Sequence, residues 1–184
     1  MGESRDEKRM FLTEEEIRKL LLAAKQSKYG TRDHLMILMA FRHAFRVSEL
    51  IDVRISDLDL EAGRIFVRRL KSSTSTTQPI PGDESRAIRA LLRLRGETSS
   101  PYLFLGERGP FTRQAVNYLV RQAGERAKLG IRVHPHMLRH STGYYLANRG
   151  CDTRLIQDYL GHVNINHTVR YTKTAAFRFE GLWK

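Results

Sequence analysis

The chain has 184 residues, of which 41% are hydrophobic, and this length suits one main globular unit. Its 32 lysines and arginines against 20 aspartates and glutamates give a net charge of +12, so a polyanionic partner is favoured over a merely solvated basic surface. Apolar runs fall short of the roughly 18 residues that a membrane span needs, and the start lacks an apolar signal region, so we predict a cytoplasmic protein with no membrane partner.

Residues 1–10 form a predicted polar tail, and helices follow it. The tail, MGESRDEKRM, holds three acids and three bases, so the basic excess lies in residues 11–184. Thr13 with Glu16 three positions later has the pattern of a capping box, and apolar residues then recur at helical spacing. The stretch HLMILMAF predicts a second, buried helix, and a short helix restarts around Ser48.

A change of period in GRIFVRRL predicts a strand. Ile65 and Val67 alternate there with Phe66 and Arg68. The following KSSTSTT is a predicted loop, and QPIPG can form only a short edge strand, because proline cannot donate to a ladder. We therefore predict a small hairpin with Lys71 at its turn.

Helical spacing returns at residues 88–92 and 116–123. The predicted helix starts are Thr112, Pro135 and either Asp152 or Thr153, and the predicted stops are Gly150 and Gly161. The sequence thus predicts a mainly α fold with a small antiparallel β-sheet (α+β). Cys151, the only cysteine, is expected to be a small buried residue.

The segment HPHMLRH concentrates three histidines and an arginine in seven positions. His136 and His140 share a helix face, as zinc ligands do, but a zinc protease would carry glutamate where Met137 stands, and Arg139 would repel a metal. A phosphate site uses the cluster better, because arginine offers a planar fork to phosphate oxygens and histidine moves protons near neutral pH. A structural network remains the alternative, and it is the expectation for His134 within the segment and for His43 and His167 elsewhere.

Two further residues stand downstream of this cluster. His162 lies just past a predicted helix stop, and Tyr171 follows nine residues later. A tyrosine this close to a basic cluster is either a core residue or a nucleophile, and spacing alone leaves both open.

Five elements in order carry a family resemblance: FRVSEL, a lysine in a β-turn, HMLRH as H-x-x-R-H, LGH, and a tyrosine some ten residues on. From about Phe11 to the end, the chain resembles the catalytic domain of tyrosine site-specific recombinases of the integrase family. HPHMLRHS, DTRLIQDYLGH and NHTVRYT are similar to the bacterial fimbrial phase-variation recombinases, which invert a promoter segment. The resemblance implies a catalytic domain over 11–184, with a C-terminal segment at about 175–184 and no separate N-terminal core-binding domain.

The resemblance also implies a role for each motif residue. Three of them would contact the scissile phosphate: Arg46, Arg139 and His162. His136 would act as acid/base, Lys71 as general acid and Tyr171 as nucleophile, while Glu49 and His140 would orient the cations. Fixed cations stabilise the charge that develops on a phosphodiester under attack, so no metal, ATP or other cofactor is expected.

The expected partner is double-stranded DNA with inverted-repeat sites. The resemblance implies a homo-tetramer on synapsed DNA, with possible help from DNA-bending proteins, and a nucleoid location. The tail AAFRFEGLWK is expected to dock onto a neighbouring subunit through an apolar stripe of Phe179, Leu182 and Trp183. Two rival functions stay open: a basic DNA-binding regulator without chemistry, and a type IB topoisomerase-like enzyme.

Overall fold

Capping residues and the spacing of apolar residues determine where the helices of this protein begin and end. The computed structural model describes residues 9–70 and 73–173. In chain order the elements are α1 (Glu14–Lys25), α2 (Gly30–Arg42), α3 (Val47–Ile51), β1 (Leu58–Asp59), β2 (Arg64–Val67), β3 (Thr76–Pro79), α4 (Gly82–Arg95), β4 (Leu105–Gly106), β5 (Gly109–Pro110), α5 (Arg113–Arg126), α6 (Pro135–Asn148), α7 (Thr153–Leu160) and α8 (Asn166–Lys173). The predicted α+β class, mainly helical with small antiparallel sheets, is confirmed.

The predicted helix caps are present where the sequence placed them. Thr13 and Glu16 form the capping box of α1, and Thr112 accepts a hydrogen bond from the backbone at the start of α5. Asp152, rather than Thr153, caps α7, and its side chain accepts from the Leu155 amide. These contacts satisfy amide groups that the first turn of a helix leaves without a partner.

A three-stranded antiparallel sheet has the order β1-β2-β3, so the predicted edge position of β3 is confirmed. The strands β2 and β3 pair from Arg64 opposite Pro79 to Val67 opposite Thr76. Two features were not predicted: the short strand β1 on the other side of β2, and a second small sheet of β4 and β5. The predicted turn residue Lys71 lies outside the described residues.

Two apolar clusters hold the chain together. The larger one joins α1, α2, the first sheet, α4, α5 and α6. The smaller one lies among the last helices and consists of Ala44, Ala147, Ile156, Leu160 and Tyr171. Cys151 packs at its edge but is only half-buried, so the expectation of a buried cysteine was wrong: it follows the C-terminal end of α6 and lies at the rim of the cluster.

Gly161 ends α7 in the left-handed conformation, with φ of +69°. A Cβ at this position would lie 2.7 Å from the Thr74 carbonyl oxygen and 3.1 Å from Cγ of Arg69. Only glycine therefore allows α7 to come this close to the β2–β3 connection. Within the described ranges, no helix is long and apolar enough to cross a bilayer. The tail stripe at residues 179–183 lies outside those ranges.

Candidate active site

Most of the predicted site residues lie close together, on α6 and α8, at the start of α3 and just past the end of α7. The structure places seven of them at this site: Arg46, Glu49, His136, Arg139, His140, His162 and Tyr171. Lys71 was also predicted, and its position falls in the undescribed pair 71–72.

Arg139 is the most buried cation of the motif. Its side chain extends from α6 and donates to two backbone carbonyls, from Nη1 to Ala44 and from Nη2 to Leu160 at 2.7 Å. Burial, followed by the nearby charges of Arg69 and Arg46, lowers the pKa of Arg139 to about 9. The guanidinium is therefore still charged at neutral pH, and its hydrogen bonds fix the loops around it.

Arg46 lies at the N-terminus of α3 and keeps about a third of its side chain exposed. Its Nη1 donates to Glu49 Oε1 at 2.7 Å and to Ser73 Oγ at 3.3 Å. Burial alone would raise the pKa of the Glu49 carboxyl, but the Arg46 amide and the charge of Arg69 hold that pKa below its ordinary value. Glu49 is thus an ionised carboxylate that orients Arg46.

Arg69 is a buried residue of this site that the motifs did not identify. Its side chain has no exposure, and its Nη1 donates to Glu49 Oε2 at 2.9 Å. The guanidinium also donates to three backbone carbonyls, from Nη1 to Ala44 and from Nη2 to His43 and Tyr159. Arg69 thereby joins the loop before Arg46, helix α3 and the end of α7.

A sequence signal for Arg69 was present in the strand pattern. Ile65 and Val67 are buried in β2, while Phe66 and Arg68 are exposed. Continuing that alternation by two residues places Arg69 on the buried face. Its charge indicated the opposite, because charged residues are usually exposed to solvent.

Tyr171 is held on α8 with its ring buried and its hydroxyl in contact with two side chains. Its Oη lies 2.8 Å from Nδ1 of His140 and 2.9 Å from Nη2 of Arg170. The ring packs on α6 at Gly143, and His162 stacks nearly parallel to it with ring centroids 6.4 Å apart. The nucleophile candidate is therefore both a core residue and a member of the cationic cluster.

The three histidines of the site differ in exposure. His136 is exposed on α6 and meets His140 edge-on, with ring centroids 4.3 Å apart. Burial, with the neighbouring cations, lowers the pKa of all three, to about 3 for His140 and for His162. Nδ1 of His162 also lies 2.9 Å from Thr168 Oγ1. At neutral pH these rings are uncharged in the free protein.

Several other basic residues take part in ion pairs. Arg42 bridges to Asp83 and to Glu84, and Arg121 pairs with Glu125. His43 lies buried between Gln78 and Glu84, as expected for a structural histidine. Among the described residues, no group of three or more metal-ligating side chains is gathered in one place.

The fold matches solved recombinases. A crystal structure of XerA recombinase superimposes with a TM-score of 0.79 at 31% identity, over 88% of this chain and 58% of that one. The catalytic domain of bacteriophage HP1 integrase gives a TM-score of 0.68 at 22% identity, over 92% of this chain and 90% of that one. The fold is that of a tyrosine recombinase catalytic domain.

Sequence comparison identifies the family. The model of the phage integrase family matches residues 10–177, and the chain belongs to that family. It is 47% identical to the type 1 fimbriae regulatory protein FimE of Escherichia coli K12, over 96% of this chain and 92% of that protein. FimB of the same strain is 46% identical, over 97% and 91%. The tyrosine recombinase XerA of Thermococcus onnurineus is 40% identical, and this chain spans 57% of its length.

Proposed function

We propose that this chain is a site-specific DNA recombinase that cleaves and rejoins strands through a 3′-phosphotyrosyl bond to Tyr171. The observation that carries the proposal is the position of the Tyr171 hydroxyl, within 3 Å of a neutral imidazole and a guanidinium. A phenol is a poor nucleophile at neutral pH until a base and a cationic cluster help it to lose its proton.

The arginines supply the charge that phosphoryl transfer needs. Attack by Tyr171 Oη on the phosphorus builds negative charge on the non-bridging oxygens while the bond to the 5′ oxygen breaks. Arg46 and Arg139 are the donors for those oxygens, with His162 beside them. Their hydrogen bonds to Glu49 and to backbone carbonyls keep them in place before DNA binds.

Two other residues complete the proton transfers. The departing 5′ oxygen needs a proton, and Lys71 is the proposed general acid, since a lysine desolvated against DNA has a lowered pKa. His136 is exposed on α6 and serves as acid/base beside the scissile phosphate. The phosphotyrosyl bond conserves the energy of the broken phosphodiester, so a 5′-hydroxyl of a second strand reseals it without metal or ATP.

The biological reaction we propose is inversion of a promoter element that controls fimbriae. The support is the identity of 46–47% to FimE and FimB over more than 90% of each protein. Inversion requires two inverted-repeat sites on double-stranded DNA, held by four subunits in the nucleoid and assisted by DNA-bending proteins. Similar folds have been solved on DNA, including the XerH recombinase bound to its difH substrate, with a TM-score of 0.79 at 23% identity.

A suicide substrate tests the chemistry. The DNA is nicked next to the cleavage site, so that the 5′-hydroxyl diffuses away and the covalent adduct accumulates. The wild type should form an adduct that maps to Tyr171, and Tyr171→Phe should bind the site but form none. Tyr145→Phe is the matched control. Tyr145 lies on α6, the helix that carries the H-x-x-R-H motif, and its ring packs edge-on against Phe41 of α2.

Three outcomes separate the rival functions. Site binding without any adduct in the wild type would indicate a non-catalytic regulator. An adduct with relaxation of supercoils on DNA that lacks paired sites would indicate a topoisomerase-like enzyme. Inversion that requires two inverted sites supports the recombinase.

A further inference from the structure

We propose that Thr168 is a positioning residue that holds the ring of His162 in place for contact with the scissile phosphate. This inference rests on the proposed function, in which His162 lies beside the arginines that bind the phosphate oxygens. His162 stands in the short connection between α7 and α8, and side chains from both helices hold it. The contact with Thr168 also ties His162 to the helix that carries Tyr171.

Burial alone does not fix the connection that carries His162. The connection spans residues 161–165, and its residues Val163, Asn164 and Ile165 are exposed. The side chain of His162 itself is only half-buried. Segments with few buried apolar contacts open readily, so hydrogen bonds have to keep His162 in one position.

The backbone of His162 is held by Gln157 of α7. Nε2 of this buried side chain donates to the carbonyl of His162 at 2.8 Å and to that of Val163 at 3.1 Å. The His162 amide donates in return to the Gln157 carbonyl at 3.0 Å. Because two carbonyls can only accept, the NH₂ end of Gln157 must face them. Helix α7 thus fixes the backbone of His162 but not the direction of its ring.

The ring of His162 is held by Thr168 of α8. Thr168 is fully buried, and its Oγ1 lies 2.9 Å from Nδ1 of His162. Within the described part of the chain, this is the only hydrogen bond of the Thr168 side chain. A hydroxyl donates or accepts, so the contact suits both the neutral ring with its proton on Nε2 and the imidazolium. Each of these forms presents an Nε2 proton to a phosphate oxygen.

The spacing along α8 ties this contact to the nucleophile. Thr168 and Tyr171 are three residues apart, so their side chains lie on the same face of the helix, and both are buried. The ring of His162 lies nearly parallel to that of Tyr171, with an interplanar angle of 20°. One helical turn therefore fixes a phosphate donor relative to the attacking hydroxyl before DNA binds. Donors that are preorganised in this way need no rearrangement during the reaction.

The charges around His162 fit a place at the phosphate. Arg139 and Arg46, the two proposed donors to the phosphate oxygens, both act electrostatically on the His162 ring. Like charges gathered in one place repel one another, so this cluster favours an anion between its members. A ring that Thr168 holds in one direction contributes its hydrogen bond to that anion together with the arginines.

The test is single-turnover cleavage of the suicide substrate by Thr168→Val and Thr168→Ser. Valine keeps the shape of threonine but cannot form a hydrogen bond to Nδ1, so the ring loses its support. Cleavage by Thr168→Val should fall by about 10–100-fold, because a small misplacement of a reacting group costs up to about 10²-fold. Serine keeps the hydroxyl, so Thr168→Ser should cleave close to the wild-type rate. A wild-type rate in Thr168→Val would overturn the inference.

A double-mutant cycle separates positioning from a general effect on the fold. If Thr168 acts through His162, Thr168→Val should cause no further loss in a protein that already carries His162→Ala. A multiplied loss in the double variant would show that Thr168 acts elsewhere and would overturn the inference.

Thr172→Val is the matched control for the loss of a threonine hydroxyl. Thr172 lies one turn later on α8, and its Oγ1 lies 2.8 Å from Oγ1 of Thr153 on α7. Cleavage by Thr172→Val should therefore stay close to the wild-type rate. A loss equal to that of Thr168→Val would mean that any weakening of α8 slows cleavage, and the positioning role would fail.

A substrate with a methyl group in place of one non-bridging oxygen gives a second measurement. Its two diastereomers remove one or the other of the two oxygens. With the diastereomer that lacks the oxygen bound by His162, Thr168→Val and the wild type should cleave at the same rate, because neither can make that contact. With the other diastereomer the defect of Thr168→Val should remain. Defects of equal size with both diastereomers would overturn the link between Thr168 and the phosphate.

The outcomes distinguish this inference from the proposed function. If Tyr171→Phe still forms an adduct, the proposed nucleophile itself fails, whatever Thr168→Val does. If Tyr171→Phe is inactive and Thr168→Val cleaves as the wild type does, only the role of Thr168 fails. Thermal unfolding and site binding are measured on each variant. If Thr168→Val does not fold, Thr168→Ala takes its place in the double-mutant cycle, and a multiplied loss there overturns the inference.

Discussion

Gly143 lies directly beneath the ring of Tyr171. A Cβ added to Gly143 would lie 2.7 Å from Cε2 of the tyrosine and 2.8 Å from Cδ2 and Cζ. Such distances are well inside van der Waals contact, so any side chain at position 143 must move the ring. The Tyr171 hydroxyl can reach His140 because Gly143, one turn after His140 on α6, has no side chain to displace the ring.

We expect Gly143→Ala to reduce DNA cleavage strongly and to leave site binding close to wild type. The added methyl displaces the ring from His140, and overpacking of this kind costs about 1–3 kcal/mol of stability. Adduct formation on a suicide substrate and filter binding measure the two effects. Gly82→Ala is the control, because a Cβ there meets only Arg86, at 3.5 Å, and the helix should gain stability. Undiminished cleavage by Gly143→Ala would show that the ring position is not critical.

We expect Arg69→Met to lower the free energy of unfolding by about 3–5 kcal/mol, because it leaves the buried carboxylate of Glu49 with one partner fewer and takes one donor from each of three backbone carbonyls. Two of these carbonyls keep a second donor: Ala44 keeps Arg139, and Tyr159 keeps Gln78. Urea unfolding measures the loss. Arg68→Met is the matched control: its side chain is about half exposed and pairs with Asp57, so its loss should be much smaller. Equal losses for the two variants would mean that Arg69 contributes no more than an exposed ion pair.

Local signals predicted the helices well, because caps and stops depend on a few neighbouring residues. Thr13 with Glu16 and the left-handed Gly161 are examples in which short-range chemistry decides a boundary. The short strand pairs were missed for the opposite reason. β1 is only two residues long and exists through its pairing with β2, which no local pattern of Leu58–Asp59 could indicate.

In the site, too, local patterns did not indicate contacts between distant segments of the chain. Motif order identified Arg139 and Tyr171, and the structure brings both into one cluster. The contact between Tyr171 and His140 depends on how α8 crosses α6, which the spacing of 31 residues along the chain does not encode. Arg69 was missed because its charge suggested exposure, although the alternation of the strand indicated burial.

We expect the protein to lose stability as the pH falls below about 6.5. Burial lowers the pKa of His140 and of His162 to about 3 in the folded state, whereas an unfolded histidine has a pKa near 6.5. Between these values the unfolded chain binds more protons, so the free energy of unfolding decreases as pH falls through this window and is independent of these groups above it. The slope has an upper bound of about 1.4 kcal/mol per pH unit for each histidine.

Urea titrations at several pH values between 7.5 and 4.5 measure this slope. His162→Asn removes one of the two groups, so its stability should depend on pH less steeply than that of the wild type. The His162 ring stacks on Tyr171, and the variant is therefore expected to start from a lower stability at neutral pH. Identical slopes in both proteins would contradict a proton-linked role for His162.

We expect DNA binding to weaken steeply with salt, because a net charge of +12 favours phosphate contacts that release counterions. Each phosphate contact contributes about 0.9 decades of affinity per decade of salt.

Two arginines make the prediction specific. Arg113 is exposed at the start of α5, whereas Arg42 donates to Asp83 and Glu84 and is already neutralised by them. Arg113→Gln should therefore reduce the salt slope by about one contact, while Arg42→Gln should leave the slope unchanged and lower the stability instead. Binding isotherms from 50 to 200 mM salt, roughly the range over which such contacts are resolved, give both slopes. A reduced slope in Arg42→Gln with no change in Arg113→Gln would show that DNA displaces the acidic partners of Arg42 and that α5 does not contact the phosphates.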